Sequence, residues 1–157
     1  MLTWDDAASH QEKKEYADIV ESSCTSLLKL IDDILDISKI ESGNLKIRNE
    51  PVDLRMLLPY LSVAYAKSPN HNPEVEIRLA LPDDETALKL LTDENRLKQI
   101  LINLVDNALK FTALGHVTIG ATVDGDQVII YVEDTGIGIS REDQAAIFER
   151  FHKIDSD

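Results

Sequence analysis

Two short stretches of this chain carry side chains that could hold a phosphorylated base. In the first, residues 103–112, Asn103, Asn107 and Lys110 stand at i, i+4 and i+7. On a helix these three fall within about 60° of one another. An amide oxygen is a hard, neutral ligand that suits magnesium, an ion that keeps several waters and bridges to phosphates. Lys110 adds a point charge for a terminal phosphate. In the second stretch, Asp134-Thr135-Gly136-Ile137-Gly138 follows the apolar run Val128 to Val132. An ionised carboxylate only accepts hydrogen bonds. At a strand end it selects an exocyclic amine, as on adenine, and repels the carbonyl that guanine carries there. Gly136 and Gly138 let backbone approach a flat ring closely. Taken singly, the first group reads equally as the solvated side of a helix and the second as a turn. Their order and spacing make the pair specific.

The elements that must position them follow from periodicity. Apolar residues at Leu97, Leu101, Leu104, Ala108 and Phe111 predict a helix over 94–111 with one buried stripe, capped by Asp93. Val117–Val123 and Gln127–Val132 predict two strands joined by an Asp124-Gly125-Asp126 hairpin. Upstream, Leu45–Arg48, Val75–Leu81 and Ala87–Leu91 alternate as strands. Val52–Ala66 reads as a helix with Asp53 as cap, and Asp143–Phe151 as a short helix or helical turn. Strands come in adjacent pairs, which predicts a mixed sheet with helices on one face: an α+β, two-layer sandwich. Ahead of it, residues 12–41 read as one long helix. Tyr16, Ser23, Leu30 and Ile37 recur every seven, Val20, Leu27 and Ile34 fill the half-heptad, and Leu28, Ile31 and Leu35 form a flanking stripe. That width suits a helical bundle, and Gly43 is the expected left-handed stop.

The totals narrow the function classes. The chain has 157 residues, 43% hydrophobic and 29% charged, with a formal net charge of -13. Such acidity argues against a nucleic-acid partner, since phosphate contacts need clustered Lys and Arg. Phosphate binding must then be local and aided by a divalent cation. The composition is that of a soluble globular protein. Cys24 is the sole cysteine, so no internal disulfide can form and a reducing, cytoplasmic setting is the simple reading. Cys24 itself reads as a small packing residue on the bundle side of the first helix. No stretch approaches the ~20 apolar residues of a membrane span. The chain is therefore expected to make no direct membrane contact, which leaves room for a membrane-anchored parent protein.

With these residues in view, the chain resembles a sensor histidine kinase of a two-component system. Arg96–Thr112 resembles that family's Asn-rich box, Asp134–Ile139 its first glycine box, and Ile147–Phe151 its Phe box. Leu30–Gly43 resembles the end of its dimerisation helix. The resemblance implies the ATP-binding fold shared with gyrase-type topoisomerases and heat-shock chaperones (GHKL, or Bergerat-type). It implies residues 1–43 as the second helix of a dimerisation bundle and residues 44–157 as the catalytic domain. It implies ATP and magnesium, homodimer formation through the 12–41 helix, and a response regulator receiver domain as partner. By motif match, Asn107 would hold magnesium with Asn103 assisting on the phosphates. Lys110 would meet the phosphates, Phe111 would flank the base, Asp134 would bind the adenine amine, and Gly136 and Gly138 would shape its pocket. Phe148 and Phe151 would belong to the lid region. The hydrolytic relatives carry a Glu at the position of Asn103, as base for a water. An amide takes no proton at neutral pH, which points to phosphotransfer rather than hydrolysis.

Two departures qualify the resemblance. Ser9-His10-Gln11 echoes the family's acceptor motif but lacks its carboxylate, Arg and Pro, so His10 is not expected to be the phosphoacceptor. His71, His116 and His152 read as solvated or packing residues. The second glycine box would follow Asp157. The chain is thus expected to be a kinase core cut at both ends, inactive alone. A non-catalytic signalling module and a hydrolytic ATPase of the same fold are the alternatives.

Overall fold

The computed structural model describes residues 10–83, 88–145 and 147. The chain divides into two compact units, Met1–Ile47 and Arg48–Asp157.

The first unit is built on α1, His10–Glu41. Its apolar rows remain exposed, with Tyr16, Val20, Leu27, Leu30 and Ile34 all among the exposed large side chains. Cys24, expected to pack, is exposed as well. The helix ends as its sequence requires. Gly43 adopts φ +68°, and the Asn44 and Leu45 amides both donate to the Lys39 carbonyl. A left-handed glycine lets the backbone fold back onto the orphan carbonyls of the last turn.

The second unit runs β1 (Glu50–Asp53), α2 (Leu54–Ala66), β2 (Val75–Ala80), β3 (Lys89–Thr92), α3 (Glu94–Phe111), β4 (Gly115–Asp124) and β5 (Gln127–Asp134), then a single 3-10 turn at Asp143–Ala145. β2, β4 and β5 form one sheet, with β2 parallel and β5 antiparallel to β4. β1 and β3 form a separate antiparallel pair. Leu54, Leu57, Leu58 and Leu61 of α2 and Leu101 and Val105 of α3 pack with Ile119 and Ala121 of β4 in one core. Both helices therefore cover the same face of the three-stranded sheet, the two-layer mixed α/β arrangement expected. No helix among the described residues is long and apolar enough to cross a membrane.

Two local expectations need correction. Leu45–Arg48 forms no strand ladder with the described residues; the strand lies at Glu50–Asp53 and contains Pro51. A two-stranded ladder leaves each strand an open edge, which is where proline's missing N–H is tolerated. The buried face of α3 is also rotated. Val105 is fully buried, while Leu104 is 46% and Phe111 40% exposed. The face turned to the sheet is centred on Leu101, Val105 and Ala108, so Leu104 and Phe111 fall on its margin. The 3-10 turn at Asp143–Ala145 fits the helical turn expected there, and the rest of 143–151, apart from Ile147, lies outside the described residues.

Candidate functional site

The α3 helix is anchored at its start by one carboxylate. Asp93 Oδ1 accepts from the Asn95 and Arg96 amides, and its Oδ2 accepts from the Arg48 amide at 3.0 Å. These bonds stabilise the ionised form. The Arg48 amide first, then that of Arg96, holds the Asp93 carboxyl below the usual carboxylate range. The cap thus fixes the chain entering the second unit to the helix carrying Asn103, Asn107 and Lys110.

All three of those residues are exposed, on the side of α3 opposite its packed face. Leu104 and Phe111 flank the ridge. The Lys110 ammonium stands 5.0 Å from the Phe111 ring centroid. The helix is tied to α2 by a pair that the spacing of the motifs does not announce. The Tyr65 hydroxyl donates to Asp106 Oδ1 at 2.7 Å, with the Ile102 carbonyl at 3.4 Å. Burial, then the hydrogen bond to Asp106 and its charge, push the Tyr65 hydroxyl well above its ordinary range. Asp106 lies between Asn103 and Asn107 in sequence, so this bond helps set the rotation of the polar ridge.

The second stretch meets the end of this helix. Asp134, the last residue of β5, is exposed, and its Oδ1 accepts from the Gly136 amide at 2.8 Å. That bond folds the chain back at once, as short Asx turns do. The Ile137 amide then donates to the Phe111 carbonyl at 3.3 Å. A side chain at Gly136 has no room: its Cβ would lie 2.3 Å from the Phe111 carbonyl oxygen. Gly136 is thus required by close approach, whereas Gly138, at φ +70° with open space around it, is required by backbone conformation. Thr135 secures the other side. Its Oγ1 accepts from the His116 amide at 3.0 Å, and its own amide donates to the His116 carbonyl at 3.2 Å.

The two stretches that sequence places 20 or more residues apart are therefore joined directly, at Phe111 and Gly136–Ile137. The junction sets the Asp134 carboxylate beside the C-terminal end of α3, the helix whose exposed side carries Asn103, Asn107 and Lys110. The donor set fits magnesium through Asn103 and Asn107, because neutral oxygens leave the ion's charge for substrate phosphates. No cluster of three or more His, Cys, Asp or Glu among the described residues would hold a metal without a substrate. Phe148 and Phe151, expected in a lid, lie outside the described residues. Tyr65, Asp106 and Thr135 were not legible as site residues, because each acts through a tertiary partner.

Residues 92–157 match the Histidine kinase-, DNA gyrase B-, and HSP90-like ATPase family. The chain is 36% identical over 157 residues to the circadian input-output histidine kinase CikA of Thermosynechococcus vestitus, covering 99% of this chain and 21% of that protein. It is 40% identical over 147 residues to the sensor histidine kinase GacS of Pseudomonas protegens, covering 90% of this chain and 16% of that protein. The chain thus spans about a fifth or less of these relatives' length. Among solved structures it resembles the histidine kinase ThkA in complex with the response regulator protein TrrA, with a TM-score of 0.68 and 23% identity over 95% of this chain and 43% of that one. Residues 92–157 accordingly match an ATPase-type domain, and the chain is similar to the part of these sensor histidine kinases that carries it.

Proposed function

We propose that this chain is the nucleotide-binding catalytic region of a kinase that moves the terminal phosphoryl group of Mg-ATP to a histidine, and from there to an aspartate of a response regulator. The observation that carries this reading is the junction of the α3 ridge with the Asp134 turn through the Phe111 carbonyl. Asp134 accepts a hydrogen bond from the adenine amine, and Gly136 and Gly138 leave room for the ring. Phe111 flanks the base. Lys110 meets the phosphates, and Asn107, assisted by Asn103, offers its amide oxygen to magnesium. The ion, when bound, neutralises phosphate charge and orients the terminal group. Asn103 cannot take a proton from water, which favours transfer to a histidine over hydrolysis. The receiver partner is supported by the ThkA likeness, a kinase seen with its response regulator. A homodimer through α1 is supported by the helix's exposed apolar rows.

A Mg-ATP titration by calorimetry tests the site. Asp134→Ala should weaken binding at least tenfold, since one charged hydrogen bond contributes about 1.5–3 kcal/mol. Unchanged affinity would refute the adenine role.

A further inference from the structure

Thr112 is almost completely buried, at 2% exposure, yet its hydroxyl oxygen has no hydrogen-bond partner. Buried polar atoms are nearly always satisfied, and one left open beside a binding site points to something that arrives later. Its position in the fold says what. Leu101 and Val105 pack with Ile119 and Ala121, while Ala108 packs with Val117. The helix therefore runs against β4 and alongside β5. Val132 of β5 packs on the Ala108–Val117 layer. One helical turn beyond Ala108 is Thr112, a rise of about 6 Å. Two strand residues beyond Val132, on the same face, is Asp134, a rise of roughly 6.6 Å. Thr112 and Asp134 thus belong to the next layer, at the edge of the core. A second observation agrees. The point where a Cβ on Gly136 would sit is 2.9 Å from Asp134 Oδ1 and 2.8 Å from the Phe111 carbonyl carbon, to which the Thr112 nitrogen is bonded.

We propose that the Thr112 hydroxyl is a further base-recognition group, working beside Asp134 from the floor of the same pocket. This rests on the adenine reading of Asp134 and deepens it. The adenine edge offers an amine donor next to a ring-nitrogen acceptor. A carboxylate matches the first, and a hydroxyl, which donates as well as accepts, matches the second, directly or through one water. Guanine presents the reverse order: its carbonyl is mismatched at the carboxylate, and its ring N–H would turn the hydroxyl from donor to acceptor. The open hydroxyl is then satisfied only when the base is bound.

The test compares Thr112→Val, which keeps the shape and removes the hydroxyl, with Thr112→Ser, which keeps the hydroxyl. Titrations use Mg-ATP, ADP and Mg-GTP, and the melting temperature of each nucleotide-free chain is recorded. The expected result is a fivefold or greater loss for Thr112→Val that is equal for ATP and ADP, since the base is common to both. The preference for ATP over GTP should shrink, Thr112→Ser should restore it, and the nucleotide-free valine chain should melt no lower than the parent. If the valine chain melts lower, Thr112→Ala supplies the same comparison. Adenine-nucleotide affinity within twofold of the parent, a loss confined to ATP, or no rescue by serine each overturns the proposal. Asp134→Ala run in parallel separates the two ideas. If it weakens binding while Thr112→Val does not, only the Thr112 role fails; if neither does, the adenine reading itself fails.

Discussion

The two longest helices of this chain carry similar apolar periodicity and end in opposite environments. α1 spans 32 residues and α3 spans 18. α3 lays Leu101, Val105 and Ala108 against a sheet and buries them. α1 leaves Tyr16, Val20, Leu27, Leu30 and Ile34 exposed. Periodicity reports that a face needs covering; it does not report what covers it. For α3 the cover is intramolecular, so its stability should not depend on concentration. For α1 the proposed cover is a second copy, so its stability should.

The sharpest way to break that contrast is to damage each face in turn. Leu101→Ala removes a side chain at 2% exposure from the packed layer. It should cost about 2–5 kcal/mol in urea unfolding, whatever the protein concentration. A loss that vanished at high concentration would place that face at an interface instead. Ile34→Asp on α1 should weaken self-association at least 100-fold, about 2.7 kcal/mol, as read by sedimentation equilibrium. The same substitution should leave unfolding of the second unit unchanged. An unaltered sedimentation profile would remove α1 as the dimer surface.

The smallest effect concerns how α3 is held to α2. Tyr65 has its hydroxyl pushed above the ordinary value of 10.0, chiefly by burial. Above that pH the unfolded chain releases the proton while the folded chain keeps it. The stability this group contributes is therefore whole below about pH 10 and is lost as the pH climbs through the folded value. Denaturant midpoints between about pH 9 and 11 should fall with a shallower slope in Tyr65→Phe than in the parent. Equal slopes would show that the Tyr65–Asp106 bond does not grip α3.

Much of the fold was legible because it rests on local rules. Asp93 and Asp53 cap the helices they were expected to cap, and α3 spans Glu94–Phe111 as its periodicity requires. The hairpin turns at Gly125, with φ +59°, between paired Asp124 and Gln127. What failed was decided at a distance. Leu104 and Leu101 are equally apolar, and only the position of the sheet determines which one is buried. Pro51 reads as a breaker until β3 arrives as its single neighbour.

The site divides in the same way. Residue chemistry and spacing alone determined that Asn103, Asn107 and Lys110 share one helical ridge, and that a carboxylate ends a strand before two glycines. Those are consequences of a 3.6-residue period and of turn stereochemistry, both local. Only the tertiary structure decided that the ridge and the turn meet. It did so through the Phe111 carbonyl, which lies too close to Gly136 for any side chain and accepts from Ile137. It also decided that Asp93 reaches Arg48, that Asp106 meets Tyr65, and that Thr112 is buried with its hydroxyl open. Each of these depends on packing between elements remote in sequence, and no local pattern encodes which partner a given face will find.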